Sequence, residues 1–238
     1  DPGSDDNPRK IYFAQDTASG SESDTAVQVQ VRLNSGYTSS NPTTARYEIL
    51  ASSTAAGDTV DFVLQNGIVT IPANDSTASI DISLINDVFD EDNETIALRL
   101  TNPSNASLGP ITQFICTILD DDAPPEIEFS ITSSGGAESY TPAYLELTLT
   151  EKSGKDITLN YTITPGTAGT SDYNFSTTSL IVPAGNDSSN LLVDIINDLS
   201  IEPTEEFTVH LTQASNAILG DDTVYTYTIY DDDGLGFI

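Results

Sequence analysis

The chain predicts an all-β protein built as two tandem antiparallel β-sandwiches of about seven strands each, and three observations carry that prediction. The first is internal repetition: the triplet Asp120, Asp121 and Asp122 recurs as Asp231, Asp232 and Asp233, 111 residues on, each time after a strand-like segment. The second is a set of short runs, rich in β-branched residues, in which apolar and polar positions alternate. The third is punctuation by Gly, Pro, Asn and Asp turn signals, with no dozen-residue stretch that keeps a 3.6-residue apolar period.

The repeat can be walked backwards from the triplets. Leu84-Ile-Asn-Asp87 lies over Ile195-Ile-Asn-Asp198, Ile71-Pro-Ala73 over Val182-Pro-Ala184, and Asp61-Phe62 over Asp172-Tyr173. Before Asp61 the offset becomes 116, pairing Ile11-Tyr-Phe13 with Ile127-Glu-Phe129 and Glu22 with Glu138. A period near 110 residues is domain-sized, and each copy is long enough to bury one modest core. Residues 11–123 are therefore read as a first domain and 124–233 as a second. Residues 1–10 read as the tail of a preceding junction, because Asp5-Asp6-Asn7-Pro8 falls on Asp121-Asp122-Ala123-Pro124. Residues 234–238 read as the start of a following linker or domain, Ile238 falling on Ile127, so the chain is expected to be cut from a longer array.

Each strand expectation rests on a period of two. The runs at 27–33 (VQVQVRL), 79–84 (SIDISL), 95–100 (TIALRL), 144–149 (YLELTL) and 207–211 (FTVHL) place apolar residues on one face and polar ones on the other. Turn signals such as Gln65-Asn-Gly67 and Thr164-Pro-Gly166 separate such runs. Short strands with frequent turns give the profile of an immunoglobulin-like sandwich; the Cys-Trp-Cys pattern of true immunoglobulin domains is absent.

Composition narrows the function. Thirty-seven acidic residues against seven Lys plus Arg give a net charge of −30, which repels nucleic acid and anionic membrane and makes cations the natural partners. Cys116 is the single cysteine, so there is no internal disulfide and no paired-cysteine metal site; Tyr227 occupies its slot in the other repeat, as for a structural strand residue. No window approaches the ~18 apolar residues of a membrane span. His210, the single histidine, alternates outward between Val209 and Leu211, and its counterpart in the other repeat is Arg99, so an enzyme is not expected. Sequons at Asn74, Asn93, Asn105, Asn160, Asn174 and Asn186 would matter in a eukaryotic secretory pathway, and several are expected by chance in a chain this rich in Asn, Ser and Thr.

The acids that recur between repeats fall in four places: an early turn (Glu22, Glu138), a position before an aromatic (Asp61, Asp172), a mid-domain loop, and the closing triplets. In the mid-domain loop Asp87/Asp198, Glu91/Glu202 and Glu94/Glu205 are kept, whereas Asp90 becomes Ile201 and Asp92 becomes Pro203. Such a cluster is self-repulsive unless neutralised, and Ca²⁺, which takes six to eight oxygen ligands, suits it best. Zinc or copper would want His or Cys ligands, and the chain has one of each.

These residues resemble the Calx-β domain, a calcium-binding sandwich. The motifs that carry the likeness are Asp172-Tyr173, the segment 195–207 (Ile-Ile-Asn-Asp, then Glu202, Glu205 and Phe207) and the triplet 231–233, and the likeness covers nearly all of both repeats. The resemblance implies two antiparallel sheets with calcium ligands gathered at one pole. It implies as ligands in the first repeat Glu22, Asp61, Asn86, Asp87, the Phe89 carbonyl, Glu91, Glu94, Asp120, Asp121 and Asp122. In the second repeat it implies Glu138, Asp172, Asn197, Asp198, the Ser200 carbonyl, Glu202, Glu205, Asp231, Asp232 and Asp233. Asn86 and Asn197 stand where fully acidic versions of the motif carry Asp, so about two or three Ca²⁺ per domain, or weaker binding, are expected.

The function expected from this reading is a calcium-binding structural or adhesive module of a larger cell-surface or secreted protein. Its partners would be other domains of the same chain or extracellular proteins. The triplet 120–122 runs directly into Ala123-Pro124-Pro125, so calcium there is expected to stiffen the hinge between domains. Two alternatives are a calcium sensor regulating a membrane transporter, which needs membrane segments, and an accessory domain of a secreted hydrolase, for which the absence of Trp removes the usual sugar-stacking platform.

Overall fold

The structure is a computed structural model that describes residues 9–34, 38–57, 59–175 and 177–234. The junction expected at 1–8 and the segment 235–238 lie outside these residues. The first repeat forms β1 (Lys10–Phe13), β2 (Thr17–Ser21), β3 (Ala26–Leu33), β4 (Thr43–Ile49), β5 (Phe62–Val63), β6 (Gly67–Ile71), β7 (Thr77–Leu84), β8 (Glu94–Ser104), β9 (Ser107–Leu108) and β10 (Gln113–Leu119). The second forms β11 (Glu126–Phe129), β12 (Ser133–Ala137), β13 (Ala143–Leu149), β14 (Ile157–Pro165), β15 (Tyr173–Asn174), β16 (Ser179–Val182), β17 (Ser188–Ile195), β18 (Glu205–Ser215), β19 (Ile218–Leu219) and β20 (Val224–Tyr230). Among the described residues no helix is long and apolar enough to cross a membrane.

Alternation becomes burial strand by strand. In β3 Val27, Val29, Val31 and Leu33 point inward, and Gln28 and Gln30 point to solvent. Each repeat folds into two five-stranded sheets, ordered β5-β7-β3-β1-β9 and β2-β10-β8-β4-β6 in the first, and β15-β17-β13-β11-β19 and β12-β20-β18-β14-β16 in the second. Their inner faces close on separate cores, one around Phe13, Ile82, Leu98 and Phe114, the other around Phe129, Leu145, Phe207 and Tyr225. By contact the chain divides into two compact units, one of Asp1–Asp87 with Asp92–Asp121, the other of Asp122–Ile238 with Val88–Glu91.

The count of ten strands per repeat among the described residues exceeds the seven expected, and the sheets are not purely antiparallel. β2 pairs parallel with β10, β12 with β20, β1 with β9 and β11 with β19. These additions carry no alternation signal. β5, β9, β15 and β19 are two residues long, while β2 (TASGS) and β12 (SSGGA) have no large apolar side chain to mark a face. Their pairing comes from strands far along the chain. At Gly135 an added Cβ would stand 2.6 Å from the Thr228 carbonyl oxygen, so the close approach of β12 to β20 requires glycine there.

The two cores differ in filling. In the second repeat Tyr173, Phe207 and Tyr227 stack in sequence, with ring centroids 4.5 and 5.5 Å apart. Phe62, Ile96 and Cys116 occupy the matching places in the first. Cys116 is fully buried, and burial pushes its thiol up to about 11, which makes it an inert core side chain.

Candidate metal centre

Strand pairing brings the recurrent acids of each repeat to one end of its sandwich. The parallel ladder between β2 and β10 ends with the Glu22 N–H donating to the Leu119 carbonyl at 3.0 Å, so Glu22 emerges beside Asp120. The second repeat does the same, with the Glu138 N–H on the Tyr230 carbonyl at 3.0 Å. On the other sheet the pairing of β5 with β7 puts the Ile85 N–H on the Asp61 carbonyl, and that of β15 with β17 puts the Ile196 N–H on the Asp172 carbonyl, each at 2.9 Å. Asp61 and Asp172 are thereby set against the loops that carry Asp87 and Asp198. Glu94 and Glu205 open β8 and β18 opposite Ile118 and Ile229, one strand-end away from the triplets.

Four groups of carboxylates result, each with ligand oxygens within 4.8 Å of one another: Glu22, Asp120 and Asp122; Asp61, Glu91 and Glu94; Glu138, Asp198 and Asp233; and Asp172, Glu202 and Glu205. All twelve are among the residues expected from the sequence. Four expected acids, Asp87, Asp121, Asp231 and Asp232, stand outside these groups. Asp121 and Asp232 instead accept serine hydroxyls, and Asp231 Oδ1 accepts the Asp233 N–H at 3.1 Å. Asn86 is exposed and donates its side-chain amide to the Asp87 carbonyl at 2.9 Å, and Asn197 is exposed as well. Phe89 is half-buried; Ser200 is exposed, its N–H on Asp198 Oδ1 at 2.6 Å, which curls the loop on itself.

The electrostatics show strain between like charges. Glu138 is only 4% exposed, and burial together with the charges of Asp233, Asp231, Asp198 and Asp232 pushes its carboxyl up to about 7. Glu202 is raised by desolvation and by Asp172, Asp198 and Asp231. At Asp172 burial pushes upward, but the Gly169 N–H at 2.6 Å and the Ser171 hydroxyl at 2.7 Å outweigh it and hold the carboxylate low. Glu205 shifts the opposite way, raised by burial and then by Asp172.

The donor set fits a hard divalent cation. Glu138 Oε1, Asp122 Oδ2 and Asp233 Oδ2 are buried and accept no hydrogen bond within the described structure, so these oxygens keep lone pairs that a cation could engage. Groups made of carboxylates alone match Ca²⁺ and offer none of the nitrogen or sulfur that zinc and copper prefer.

Comparison of the repeats did not reveal four supporting residues, one asparagine and three serines. Asn93 Oδ1 accepts the Asp120 N–H at 3.1 Å and so orients the first triplet, yet its counterpart is Thr204. Ser21 and Ser23 flank Glu22, and Ser139 follows Glu138; their adjacency to the buried glutamates was the available signal.

Among solved structures, the calcium binding domain CBD12 of CALX1.1 is similar at 19% identity, covering 92% of this chain and 99% of that one, with a TM-score of 0.44. The apo-form Calx CBD1 domain is similar at 26% identity over 49% of this chain and 100% of that one, with a TM-score of 0.43. Drosophila N-cadherin EC1-3 matches at 15% identity, covering 94% of this chain and 68% of that one, with a TM-score of 0.29. The family model for the Calx-beta domain matches twice, over residues 4–122 and 120–233, and with almost its whole length so matched the chain belongs to the Calx-beta domain family as a tandem pair.

Proposed function

We propose that this tandem pair is a non-catalytic, calcium-binding structural or adhesive module of a larger cell-surface or secreted protein. The observation that carries the calcium reading is the buried Glu138, which has a carboxylate oxygen within 4.8 Å of one from Asp198 and one from Asp233 and whose Oε1 accepts no hydrogen bond. Three carboxylates so placed repel one another, and a bound dication converts that repulsion into attraction. His210, on the surface of β18 with Nε2 3.3 Å from Thr208 Oγ1, is an ordinary strand residue in this reading.

The mechanical role follows from chain order. Asp120, Asp121 and Asp122 lead within three residues into Pro124 and Pro125, whose rings fix φ. Calcium held by the triplet restrains the start of that connection, so ion binding stiffens the array more than it stabilises either fold. At the ~10⁻⁴ to 10⁻³ M affinities of extracellular modules, calcium at ten times Kd adds only about 1.4 kcal/mol per site. The test is a calcium titration followed by calorimetry, by melting temperature and by solution radius of gyration. Heat uptake with a raised melting temperature and a narrowed distribution of dimensions is expected; no heat and no change in either quantity refutes the proposal.

A further inference from the structure

We infer that Ile201, in the acid-bearing loop of the second repeat, anchors a docking surface for a further repeat of the same fold, one whose receiving turn carries an apolar residue where this chain has Lys155. The inference deepens the array reading above and does not depend on calcium.

The precedent lies inside the second compact unit, which contains Val88–Glu91 together with Asp122–Ile238. Asp90, in that segment, is 5% exposed and is covered by the turn Ser153-Gly154-Lys155. Its carbonyl accepts the Gly154 N–H at 3.1 Å and the Ser153 hydroxyl at 3.3 Å, and its backbone forms an isolated parallel bridge with Ser153. Its carboxylate pairs with Lys155 Nζ at 2.8 Å. The approach is close: a Cβ added at Gly154 would stand 2.5 Å from Glu91 Cγ, so a side chain there would displace Glu91. The turn thus recognises the backbone and one side chain at position 90, and favours glycine at its centre.

One period on, the loop bends at the matching residue, Leu199 for Val88, and Ile201 stands in the place of Asp90. Ile201 is 66% exposed. Leu199 is exposed too, but so is Val88 beside the covered Asp90, which makes Leu199 rim and Ile201 anchor. An isoleucine left in solvent at the one loop position that the other repeat buries marks an unfilled docking position.

The exchange of Asp for Ile changes the partner's chemistry. An aspartate takes an ammonium, whereas a lysine buried against isoleucine loses its hydration without gaining a counter-charge. The receiving turn is therefore a small residue, a glycine and an apolar residue, with the glycine N–H donating to the Ile201 carbonyl. A second copy of this chain does not offer that turn. Its first repeat has Thr38 and Ser39 at the places of Gly154 and Lys155, and in its second repeat the turn is taken by Asp90. The net charge of −30 opposes self-association as well.

The experiment extends the whole chain. Ile238 falls on Ile127 in the period, so a copy of residues 128–233 is joined after Ile238 in two forms, one unchanged and one with Lys155→Leu in the copy alone. Amide hydrogen exchange is followed without and with calcium chloride, the original Gly154 serving as the standard for a docked turn. In the leucine form the appended Gly154 and the amides of Ile201 and Glu202 are expected to slow by about tenfold, and in the unchanged form to stay fast. Ile201→Asp is expected to reverse the preference, protecting the lysine form and releasing the leucine form. Fast exchange at the appended Gly154 in every form overturns the inference, as does equal protection in both. Fast exchange at the original Gly154 removes the precedent and overturns it too. Sedimentation of the unextended chain is a second check: a monomer is expected, and a dimer that Ile201→Asp dissociates would make the occupant a second copy. A chain that takes up no calcium refutes the calcium reading and leaves these outcomes as they stand, so the two failures are told apart.

Discussion

Glu138→Gln separates the two consequences of crowding acids at a pole. In calcium-free protein the substitution removes a charge whose oxygen lies within 4.8 Å of both Asp198 and Asp233. Two like charges at that distance repel by about 0.9 kcal/mol even at the dielectric constant of water, so relief of both pairs stabilises by about 1.7 kcal/mol, and the burial of Glu138 adds in the same direction. For a domain of this size that is an increase of about 7 °C in melting temperature. The gain depends on pH, because the folded-state carboxyl is raised to about 7. Between the ordinary glutamate range and that value the folded state holds the extra proton, so wild-type stability falls as pH rises through this window. The variant therefore outperforms wild type at pH 8 and matches it near pH 4, where the carboxyl is protonated in both states. Calcium has the opposite effect: a ligand without charge, with affinity lowered about tenfold, cuts the stabilisation at ten times the wild-type Kd from about 1.4 to about 0.4 kcal/mol. The assay is differential scanning calorimetry at both pH values with and without calcium. A calcium-free variant that melts with wild type at pH 8, or a calcium increment equal to that of wild type, refutes the argument.

Three further outcomes test other parts of the structure. Phe207→Ala removes a fully buried ring stacked between Tyr173 and Tyr227, and is expected to cost about 3–5 kcal/mol, seen as an earlier transition of the second repeat alone in denaturant unfolding. Asp172→Ala deprives the Gly169 N–H of a charged acceptor at 2.6 Å and is expected to destabilise calcium-free protein by about 1.5–3 kcal/mol, whereas Asp172→Asn retains most of that bond; equal losses in chemical denaturation would contradict the assignment. Cys116, buried with its thiol raised to about 11, is expected to resist a disulfide reagent until the first repeat unfolds, so rapid labelling of native protein at neutral pH would contradict its place in the core.

The central strands were legible because a two-residue period has one physical meaning when a face is buried. β3, β7, β8, β13 and β18 each contain the apolar run that announces them. The offset of 111 also carries through to fine detail: Asn105 and Asn216, one period apart, both take positive φ, at 59° and 60°. β2 and β12 were not legible, since Thr-Ala-Ser-Gly-Ser and Ser-Ser-Gly-Gly-Ala present neither alternation nor bulk. They become strands because β10 and β20 supply the hydrogen-bond partners about 100 residues away along the chain. Nor did the backbone pattern reveal that the second core is aromatic where the first has Ile96 and Cys116, because volume is balanced between facing sheets and not within a single strand.

At the pole the boundary of legibility runs between residue type and side-chain direction. Which acids recur is a sequence property, and comparison of the repeats was enough to pick out all twelve that the structure gathers into four groups. Which way each points depends on strand register. In both repeats a parallel ladder delivers a buried glutamate next to three consecutive aspartates, and successive residues of an extended segment alternate in direction. Two members of the first triplet, Asp120 and Asp122, therefore share a side with Glu22 while Asp121 turns to the serines. The second triplet departs from that pattern, with Asp233 joined to Glu138 by Asp198 from the loop, and Asp231 turned to the Asp233 N–H. Equal sequences thus enclose unequal groups, three early-turn and triplet acids in one repeat against a set that borrows from the loop in the other. The two poles should in consequence differ in calcium affinity, and a titration of the whole chain should resolve into two classes of site with one Asp198→Asn-sensitive class; a single class unaffected by that substitution would mean that the triplets act alike and that side-chain direction does not govern the ligand set.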